Sequence, residues 1–270
     1  MRKDRIEQLQ SMLDSLSLMP NKALGQNFLV DDVAISRILD AADVRGQAVL
    51  EIGPGAGALT EGLLQRAKTV AAVEIDARMC ALLRARFGNA LLLYNEDFLK
   101  TDLSAIHRAL CGGAFCVTGN LPYYITTPVC MRLLTSELPI SRMTLMVQQE
   151  AAVRFFALPG ARVYGPMSVL TQVYYTPSRV MELSPESYYP QPDVNSSVVT
   201  LLRNAQPFLS NLASLLKACF AMRRKTIANN LKGYGGKQPA MDALAACGIA
   251  PAARAETLAP EQFVQLCEQL

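Results

Sequence analysis

Asn120, Leu121, Pro122 and Tyr123 follow a short apolar run and combine groups that can hold an exocyclic amine. The side-chain oxygen of Asn120 and the carbonyl of Leu121 can each accept a hydrogen bond from an NH₂ group. Pro122 restricts Leu121 to an extended conformation, which aims that carbonyl outward. The ring of Tyr123 offers a flat face on which a base can stack. The tetrapeptide therefore predicts a site for the amino group of a base, with an ordinary polar turn as the alternative.

A second group of residues predicts a nucleotide-like cofactor. An apolar run ends in the glycine-rich turn from Gly53 to Gly57, where backbone can approach a ligand closely because side chains are absent. Glu74 ends the next apolar run, and a carboxylate there can accept hydrogen bonds from both hydroxyls of a ribose. Together these features predict an adenosine-containing cofactor, although the glycine spacing alone also matches a loose NAD fingerprint. Asp97 would lie near an adenine amino group, or would cap a helix at Leu99.

Composition limits the chemistry available to these groups. Of the 270 residues, 51% are hydrophobic and 18% are charged, which indicates a globular protein. The single histidine, His107, has no neighbour at metal-ligand spacing, so we expect no metal site and no histidine-based triad. The absence of a Cys-x-x-Cys pair is typical of free thiols in a reducing cytoplasm. The seven cysteines are Cys80, Cys111, Cys116, Cys130, Cys219, Cys247 and Cys267.

The hydropathy pattern gives no sign of a membrane protein. No apolar run approaches the roughly 18 to 20 residues that a membrane-spanning helix needs. The first residues mix basic with acidic side chains and lack a continuous apolar centre, which argues against a secretory signal or a transit peptide. We therefore expect a cytoplasmic protein without a membrane partner.

Short apolar runs alternate with helical stretches between residues 45 and 150. Helical candidates such as Thr60–Arg66 and Ala77–Phe87 separate runs with the continuous apolar character of strands buried on both faces of a parallel sheet. These runs are Ala48–Ile52, Val70–Ile75, Ala90–Tyr94, Phe115–Thr118 and Met143–Val147. The alternation predicts an α/β protein with a doubly wound sheet, in which ligands collect at the carboxyl ends of the strands.

The flanking regions differ from this pattern. Residues 6–19 have apolar groups at helical spacing and predict a packing helix. The stretch from 149 to about 203 mixes β-branched runs, Val169–Tyr175 and Ser197–Leu202, with proline-rich turns. Tyr188 to Pro192 must be extended, because each proline disfavours helix in the residue before it. Past Pro207 the pattern is helical, so we predict one domain over 1–203 and a small α-helical domain over 204–270.

Basic residues are concentrated near the C-terminal end. Residues 203–270 hold 8 basic and 4 acidic side chains, and no acid lies within 203–241. A stretch of one charge sign can attract a polyanion, and a solvated helical face explains the charge alone equally well.

The order of four motifs resembles that of the small-subunit ribosomal RNA adenine N6,N6-dimethyltransferase family. The motifs are Leu24-Gly25-Gln26-Asn27-Phe28-Leu29, the Glu-Ile-Gly-Pro-Gly turn that starts at Glu51, Asn120-Leu121-Pro122-Tyr123 and Pro190-x-Pro192-x-Val194-x-Ser196. The resemblance spans roughly residues 20 to 235. It implies a Rossmann-like domain that binds S-adenosyl-L-methionine (SAM) and a small helical RNA-binding domain. It also implies transfer of four methyl groups to two adjacent adenosines near the 3′ end of small-subunit rRNA, on an immature small ribosomal subunit.

The resemblance further implies roles for individual residues. The implied SAM contacts are Asn27, Leu29, Gly53, Gly55, Glu74, Asp97 and Asn120. The implied catalytic residues are Asn120, Leu121, Pro122, Tyr123, which stacks on the target adenine, and Tyr188. Arg223, Arg224 and Lys225 resemble the family's basic RNA-binding helix. The family usually has Phe at the position of Tyr188, and Lys and Asp at the positions of Asp193 and Asn195.

Two other functions remain open from the sequence. A base methyltransferase that acts on large-subunit rRNA or DNA would need the same cofactor turn. A ribosome-assembly factor with weak or lost catalysis would need the same RNA-binding domain. An NAD oxidoreductase is disfavoured because no residue offers a hydride-transfer acid. We expect the protein to be a monomer.

Overall fold

The computed structural model of the protein describes residues 2–15, 18–21, 24–110 and 112–270. The helices of these ranges are α1 (Arg2–Ser15), α2 (Asp32–Ala42), α3 (Thr60–Arg66), α4 (Ala77–Phe87), α5 (Leu103–Leu110), α6 (Thr126–Leu134), α7 (Gln149–Ala152), α8 (Pro166–Tyr174), α9 (Leu212–Cys219), α10 (Ile227–Leu231), α11 (Lys237–Ala246) and α12 (Pro260–Gln269). The strands are β1 (Phe28–Leu29), β2 (Ala48–Ile52), β3 (Thr69–Glu74), β4 (Leu91–Asn95), β5 (Phe115–Asn120), β6 (Ile140–Gln148), β7 (Tyr175–Leu183), β8 (Tyr188–Tyr189) and β9 (Ser196–Arg203). The predicted thiol at Cys111 lies outside the described residues, and the other cysteines are free.

Seven strands of the described residues form one sheet in the order β4-β3-β2-β5-β6-β9-β7. Strands β4, β3, β2, β5 and β6 are parallel, and β9 is antiparallel to β6. All five residues of β2 are buried, which explains why the strand is apolar except for Glu51. The predicted α/β class is confirmed, and the predicted helices Thr60–Arg66 and Ala77–Phe87 correspond to α3 and α4.

The sheet changes direction of growth between β2 and β5. After β2 the chain adds β3 and β4 on one side, and it then returns to add β5 and β6 on the other. In open α/β sheets such a switch point leaves a crevice outside the carboxyl ends of the strands. The crevice here lies between Gly53, which follows β2, and Asn120, which ends β5.

Gly119 lets β2 and β5 approach each other at this crevice. It pairs with Ile52 across the two strands. A Cβ atom at residue 119 would lie 2.6 Å from the main-chain oxygen of Ile52, closer than real Cβ atoms come to backbone. The position therefore requires glycine for steric reasons.

The N-terminal helix packs on the outside of the glycine-rich turn. Leu9 and Leu13 of α1 are buried in a cluster with Phe28, Ala56 and Met79. The described helix spans Arg2–Ser15, and residues 16 and 17 of the predicted helix lie outside the described residues. Leu18 and Met19 are not helical, and Met19 is 72% exposed.

The chain divides into two compact units. The first contains residues 1–129, 138–152 and 178–202, and the second contains residues 130–137, 153–177 and 203–270. Residues 153–177 thus belong to the same unit as the C-terminal helices. The predicted boundary between two domains at residue 203 stays a prediction.

The β-branched run at 169–175 lies mainly in helix α8 of the second unit. Gly165 precedes this helix and Pro166 occupies its first turn, a position that suits proline. Val169, Leu170 and Val173 are buried, so packing outweighs their preference for strands. The other run, 197–202, does lie in β9.

No helix in the described part of the chain is long and apolar enough to cross a membrane.

We predict that Gly119→Ala destabilises the protein by about 1–3 kcal/mol, because the added methyl group would overpack the β2–β5 contact. Urea unfolding measures this change. Gly113→Ala is the matched control, since a Cβ atom there meets nothing within 4 Å. Equal stability of the two variants would contradict the steric argument.

Candidate active site

A cavity of about 230 Å³ lies at the carboxyl ends of β2, β3 and β5. The residues that line it lie in five segments of the chain: 24–29, 51–59, 73–75, 96–99 and 120–125. The cavity brings together these predicted site residues: Asn27, Leu29, Gly53, Gly55, Glu74, Asp97, Asn120, Leu121, Pro122 and Tyr123. Tyr188 is not among its lining residues.

Glu74 holds the glycine-rich turn in place. One carboxylate oxygen accepts a hydrogen bond from the backbone N–H of Gly55 at 3.0 Å, and the other accepts from the N–H of Asp76 at 2.9 Å. Gly53 and Gly55 have φ angles of 64° and 56°, which favour glycine. A carboxylate has about four acceptor sites, so Glu74 retains capacity for the hydroxyls of a ligand. Burial raises the pKa of Glu74 above its ordinary value.

Glu51 is a second buried carboxylate in the cavity wall. It accepts a hydrogen bond from the Thr60 hydroxyl at 2.7 Å, and its residue is 2% exposed. Burial raises its pKa to about 7, and the nearby carboxylate of Glu74 adds to the rise. The two groups together give the cavity a negative charge when ionised.

The segment at 24–29 is fastened across the strand ends by side-chain hydrogen bonds. The Gln26 amide nitrogen donates to Asp76 at 2.9 Å, and its amide oxygen accepts from the N–H of Asn21 at 2.8 Å. Asp76 also forms an ion pair with Arg78, whose guanidinium lowers the pKa of that carboxyl. The segment therefore keeps Asn27 at the cavity, beside the end of β5.

Asn120 is oriented by this segment. Its Nδ2 donates to the main-chain oxygen of Asn27 at 3.0 Å. A carbonyl oxygen can only accept, so the nitrogen of the Asn120 amide must face Asn27. The amide oxygen, Oδ1, is then the atom left for a ligand, and this is the orientation that accepts from an amine.

The rest of the tetrapeptide is fixed at the edge of the sheet. The N–H of Leu121 donates to the main-chain oxygen of Met146 in β6 at 3.0 Å. The Tyr123 hydroxyl lies 2.8 Å from the hydroxyl of Ser196, and either group can donate. Burial raises the pKa of Tyr123, while the contact with Ser196 lowers it in part.

Tyr188 occupies a position different from the one expected of a stacking residue. It is 1% exposed and packs in the core with Leu29, Ile35 and Val198. Strand β8 pairs with β1, where Tyr188 lies opposite Leu29, and this pairing draws the ring inward. Its hydroxyl is buried near Ser196 and Tyr123 but makes no hydrogen bond, and burial raises its pKa. The structure therefore leaves Tyr188 no face for a base.

Asp97 caps a turn at Leu99 and not a helix, and its predicted place near an adenine stays a prediction. Its side chain accepts from the N–H of Leu99 at 2.9 Å, and its second oxygen lies 3.8 Å from the Lys100 ammonium group. It caps a turn and also lines the cavity.

The predicted basic helix is a turn in the second unit. Arg223, Arg224 and Lys225 lie between α9 and α10, and Thr226 caps the start of α10. All three basic residues are exposed. The Arg223 guanidinium donates to the carbonyl oxygens of Arg162 at 2.9 Å and Tyr164 at 3.5 Å, so it ties two loops together.

The sequence predicts no role for three residues of the site, Glu51, Gln26 and Ser196. Glu51 had a detectable signal, because it is the one charged residue in the apolar run Ala48–Ile52. Gln26 and Ser196 lie in quoted motifs, but their partners are distant in the chain and no local pattern reveals them. Among the described residues, no group of three or more His, Cys, Asp or Glu side chains could hold a metal ion.

The chain is similar to known RNA methyltransferases over almost its whole length. The family model for ribosomal RNA adenine dimethylase matches residues 18–270. The ribosomal RNA small subunit methyltransferase A of Anoxybacillus flavithermus is 39% identical over 277 residues, which cover 97% of this chain and 94% of that protein. The protein of the same name from Moorella thermoacetica is 40% identical over 268 residues, which cover 94% and 93%.

Two solved structures resemble the fold. A dimethyladenosine transferase from Plasmodium falciparum has a TM-score of 0.74 and 27% identity, over 88% of this chain and 95% of that one. The 23S rRNA methyltransferase ErmE has a TM-score of 0.64 and 28% identity, over 90% and 99%.

We predict that Glu51→Gln stabilises the protein at pH 8. The unfolded chain loses the Glu51 proton near pH 4.5, whereas the folded protein keeps it to about pH 7. The free energy of unfolding therefore falls as pH rises through this window, by about 3 kcal/mol. Gln removes this dependence and can still accept from Thr60. Urea unfolding should show a gain of up to about 3 kcal/mol at pH 8 and a much smaller gain at pH 5.

Glu150→Gln is the control for this prediction, because Glu150 is exposed. It should change the free energy of unfolding by less than about 0.5 kcal/mol at either pH. A gain in Glu51→Gln that is equal at pH 5 and pH 8 would contradict a buried, titrating carboxylate.

Proposed function

The chain belongs to the ribosomal RNA adenine dimethylase family, and from this premise we propose how its residues carry out the reaction. The protein is a SAM-dependent (adenine-N6,N6)-dimethyltransferase of small-subunit rRNA. The proposed targets are two adjacent adenosines near the 3′ end of that RNA, presented by an immature small subunit. The small-subunit relatives, at 39% and 40% identity, favour this target over the large-subunit alternative.

The cavity has the groups that a SAM molecule requires. Glycine backbone at 53 and 55 permits close approach, and a Cβ atom at 55 would meet the Phe28 ring at 3.1 Å. Glu74 would accept from the ribose hydroxyls, and Asp97 would lie at the adenine. When ionised, the two buried carboxylates of Glu51 and Glu74 would complement a cation. When bound, SAM supplies an electrophilic methyl carbon on a sulfonium. Asn27, Leu29 and Asn120 complete the proposed set of contacts.

The orientation of Asn120 carries the proposal for catalysis. The amine of adenine is a poor nucleophile, because its lone pair is delocalised into the ring. Oδ1 of Asn120 and the carbonyl of Leu121 would accept its two hydrogens and favour a pyramidal nitrogen, with the lone pair directed to the methyl carbon. Catalysis is then mainly positioning and electrostatics. The proton on the product amine can leave to water, so the reaction needs no histidine.

The target base must leave the RNA stack before it enters the cavity. Tyr123 would stack on the extruded adenine, and Pro122 would keep the Leu121 carbonyl in place. Tyr188 is omitted from this role because its ring is buried.

The second unit would supply contacts to the RNA backbone. Arg224 and Lys225 are exposed on the turn before α10 and would contact phosphates. Arg223 would hold this turn in place, because its guanidinium donates to the carbonyl oxygens of Arg162 and Tyr164. The monomeric state and the cytoplasmic location stay predictions.

We predict that Asn120→Ala lowers methyl transfer to immature small subunits by at least about 100-fold, because one acceptor for the amine is lost. Most of the cofactor affinity, measured by calorimetry with SAM, should remain, because Asn120 is one of seven proposed SAM contacts. Transfer is followed with labelled SAM, and immature large subunits test the alternative target. Full turnover by Asn120→Ala would overturn the assigned role.

We predict that Arg224→Gln with Lys225→Gln weakens RNA binding and flattens its salt dependence. Each lost phosphate contact should reduce the slope of log K against log salt by about 0.7–0.9. The control is Arg45→Gln with Lys68→Gln, which removes two exposed charges from the first unit. The same slope for both double variants would place the RNA contact elsewhere.

A further inference from the structure

We propose that Ser196 is a positioning residue that fixes the ring of Tyr123 for the target adenine. This inference rests on the proposed stacking role of Tyr123. Ser196 belongs to the proline-rich motif, and nothing in the proposed chemistry requires it to touch substrate or cofactor.

The contact between the two hydroxyls is short and shielded. The Tyr123 Oη and Ser196 Oγ atoms lie 2.8 Å apart, and Ser196 is 1% exposed. Water therefore competes poorly for the serine hydroxyl, and a hydrogen bond in such surroundings is stronger than one at the surface.

The hydrogen bond joins the turn after β5 to the start of β9. Tyr123 follows β5, Ser196 is the first residue of β9, and β6 lies between these strands. Ser196 pairs with Gln148, the last residue of β6. The bond therefore crosses the carboxyl end of β6, on the side of the sheet where the cavity opens.

Ser196 bonds the tyrosine that belongs to the cavity. Two tyrosine hydroxyls lie close to it, those of Tyr123 and Tyr188. Tyr123 lines the cavity and is bonded, whereas Tyr188 is buried and its hydroxyl has no hydrogen-bond partner. The serine hydroxyl therefore bonds the ring that would meet the base.

Anchoring the hydroxyl fixes the direction in which the ring points. The Tyr123 Oη atom lies on the axis of χ2 rotation, so holding it restricts χ1 and keeps the ring at the cavity. The loss of rotamer freedom then occurs during folding and not during binding of the base. Loss of the anchor should reduce the rate of methyl transfer and leave cofactor affinity unchanged.

A double-mutant cycle tests this role on the full-length protein, with immature small subunits and labelled SAM. Ser196→Ala and Tyr123→Phe should each lower kcat by about tenfold, since each removes the same hydrogen bond. The double variant should be no slower than either single variant, because the bond can be lost only once. The KM for SAM should stay within about twofold of the wild-type value, and Ser196→Thr, which keeps a hydroxyl, should restore much of the rate.

Ser197→Ala is the matched control, because Ser197 is the next residue of β9 and is also buried. Its side chain points to the opposite face of the sheet, so its kcat should stay near the wild-type value. An unchanged kcat in Ser196→Ala, additive losses, or an equal loss in Ser197→Ala would overturn the inference. If Ser196→Ala fails to fold, an unchanged kcat in Tyr123→Phe overturns it. A wild-type protein that transfers no methyl group would instead refute the proposed function.

Discussion

The hydrogen bond from the Asn120 amide to the main-chain oxygen of Asn27 gives the site its chemical direction. An asparagine amide has a donor end and an acceptor end of nearly equal shape, and only its surroundings decide which end meets a ligand. Here the donor atom, Nδ2 of Asn120, is bonded to the main-chain oxygen of Asn27. The segment that carries Asn27 is itself fastened through Gln26 to Asp76. The acceptor needed for an amine thus depends on a piece of chain that lies far from β5 in sequence.

The cofactor side of the cavity depends on a different constraint, the burial of two carboxylates. Glu74 supports the glycine turn through backbone N–H groups, and Glu51 is held by Thr60. Burial opposes ionisation of both, as their raised pKa values show. Such groups are unfavourable in the free protein and become favourable when a cation is near. The two buried carboxylates therefore lower the stability of the free protein, while their charge complements a bound cation.

The sequence predicts those parts of the fold and site that depend on local pattern. Continuous apolar runs identify the parallel strands, and their ends place Glu74 and Asn120 at one edge of the sheet. The other features of the site depend on contacts between segments that are far apart in the sequence. Tyr188 has the residue type of a stacking group, but pairing of β8 with β1 buries it. Arg223 is exposed, but the hydrogen bonds from its Nη2 to two carbonyl groups of another loop cannot be read from its charge. Ser196 is a small polar residue whose partner is 73 positions away.

Helix α1 has a consequence for any shortened form of the protein. It lies entirely before residue 18, where the match to the family model begins. Even so, Leu9 and Leu13 bury Phe28 and Ala56, which form the back of the glycine turn. A truncation at the start of the family-model match would uncover this apolar surface beside the cofactor cavity and promote self-association. The folding unit therefore begins earlier in the chain than the family model does.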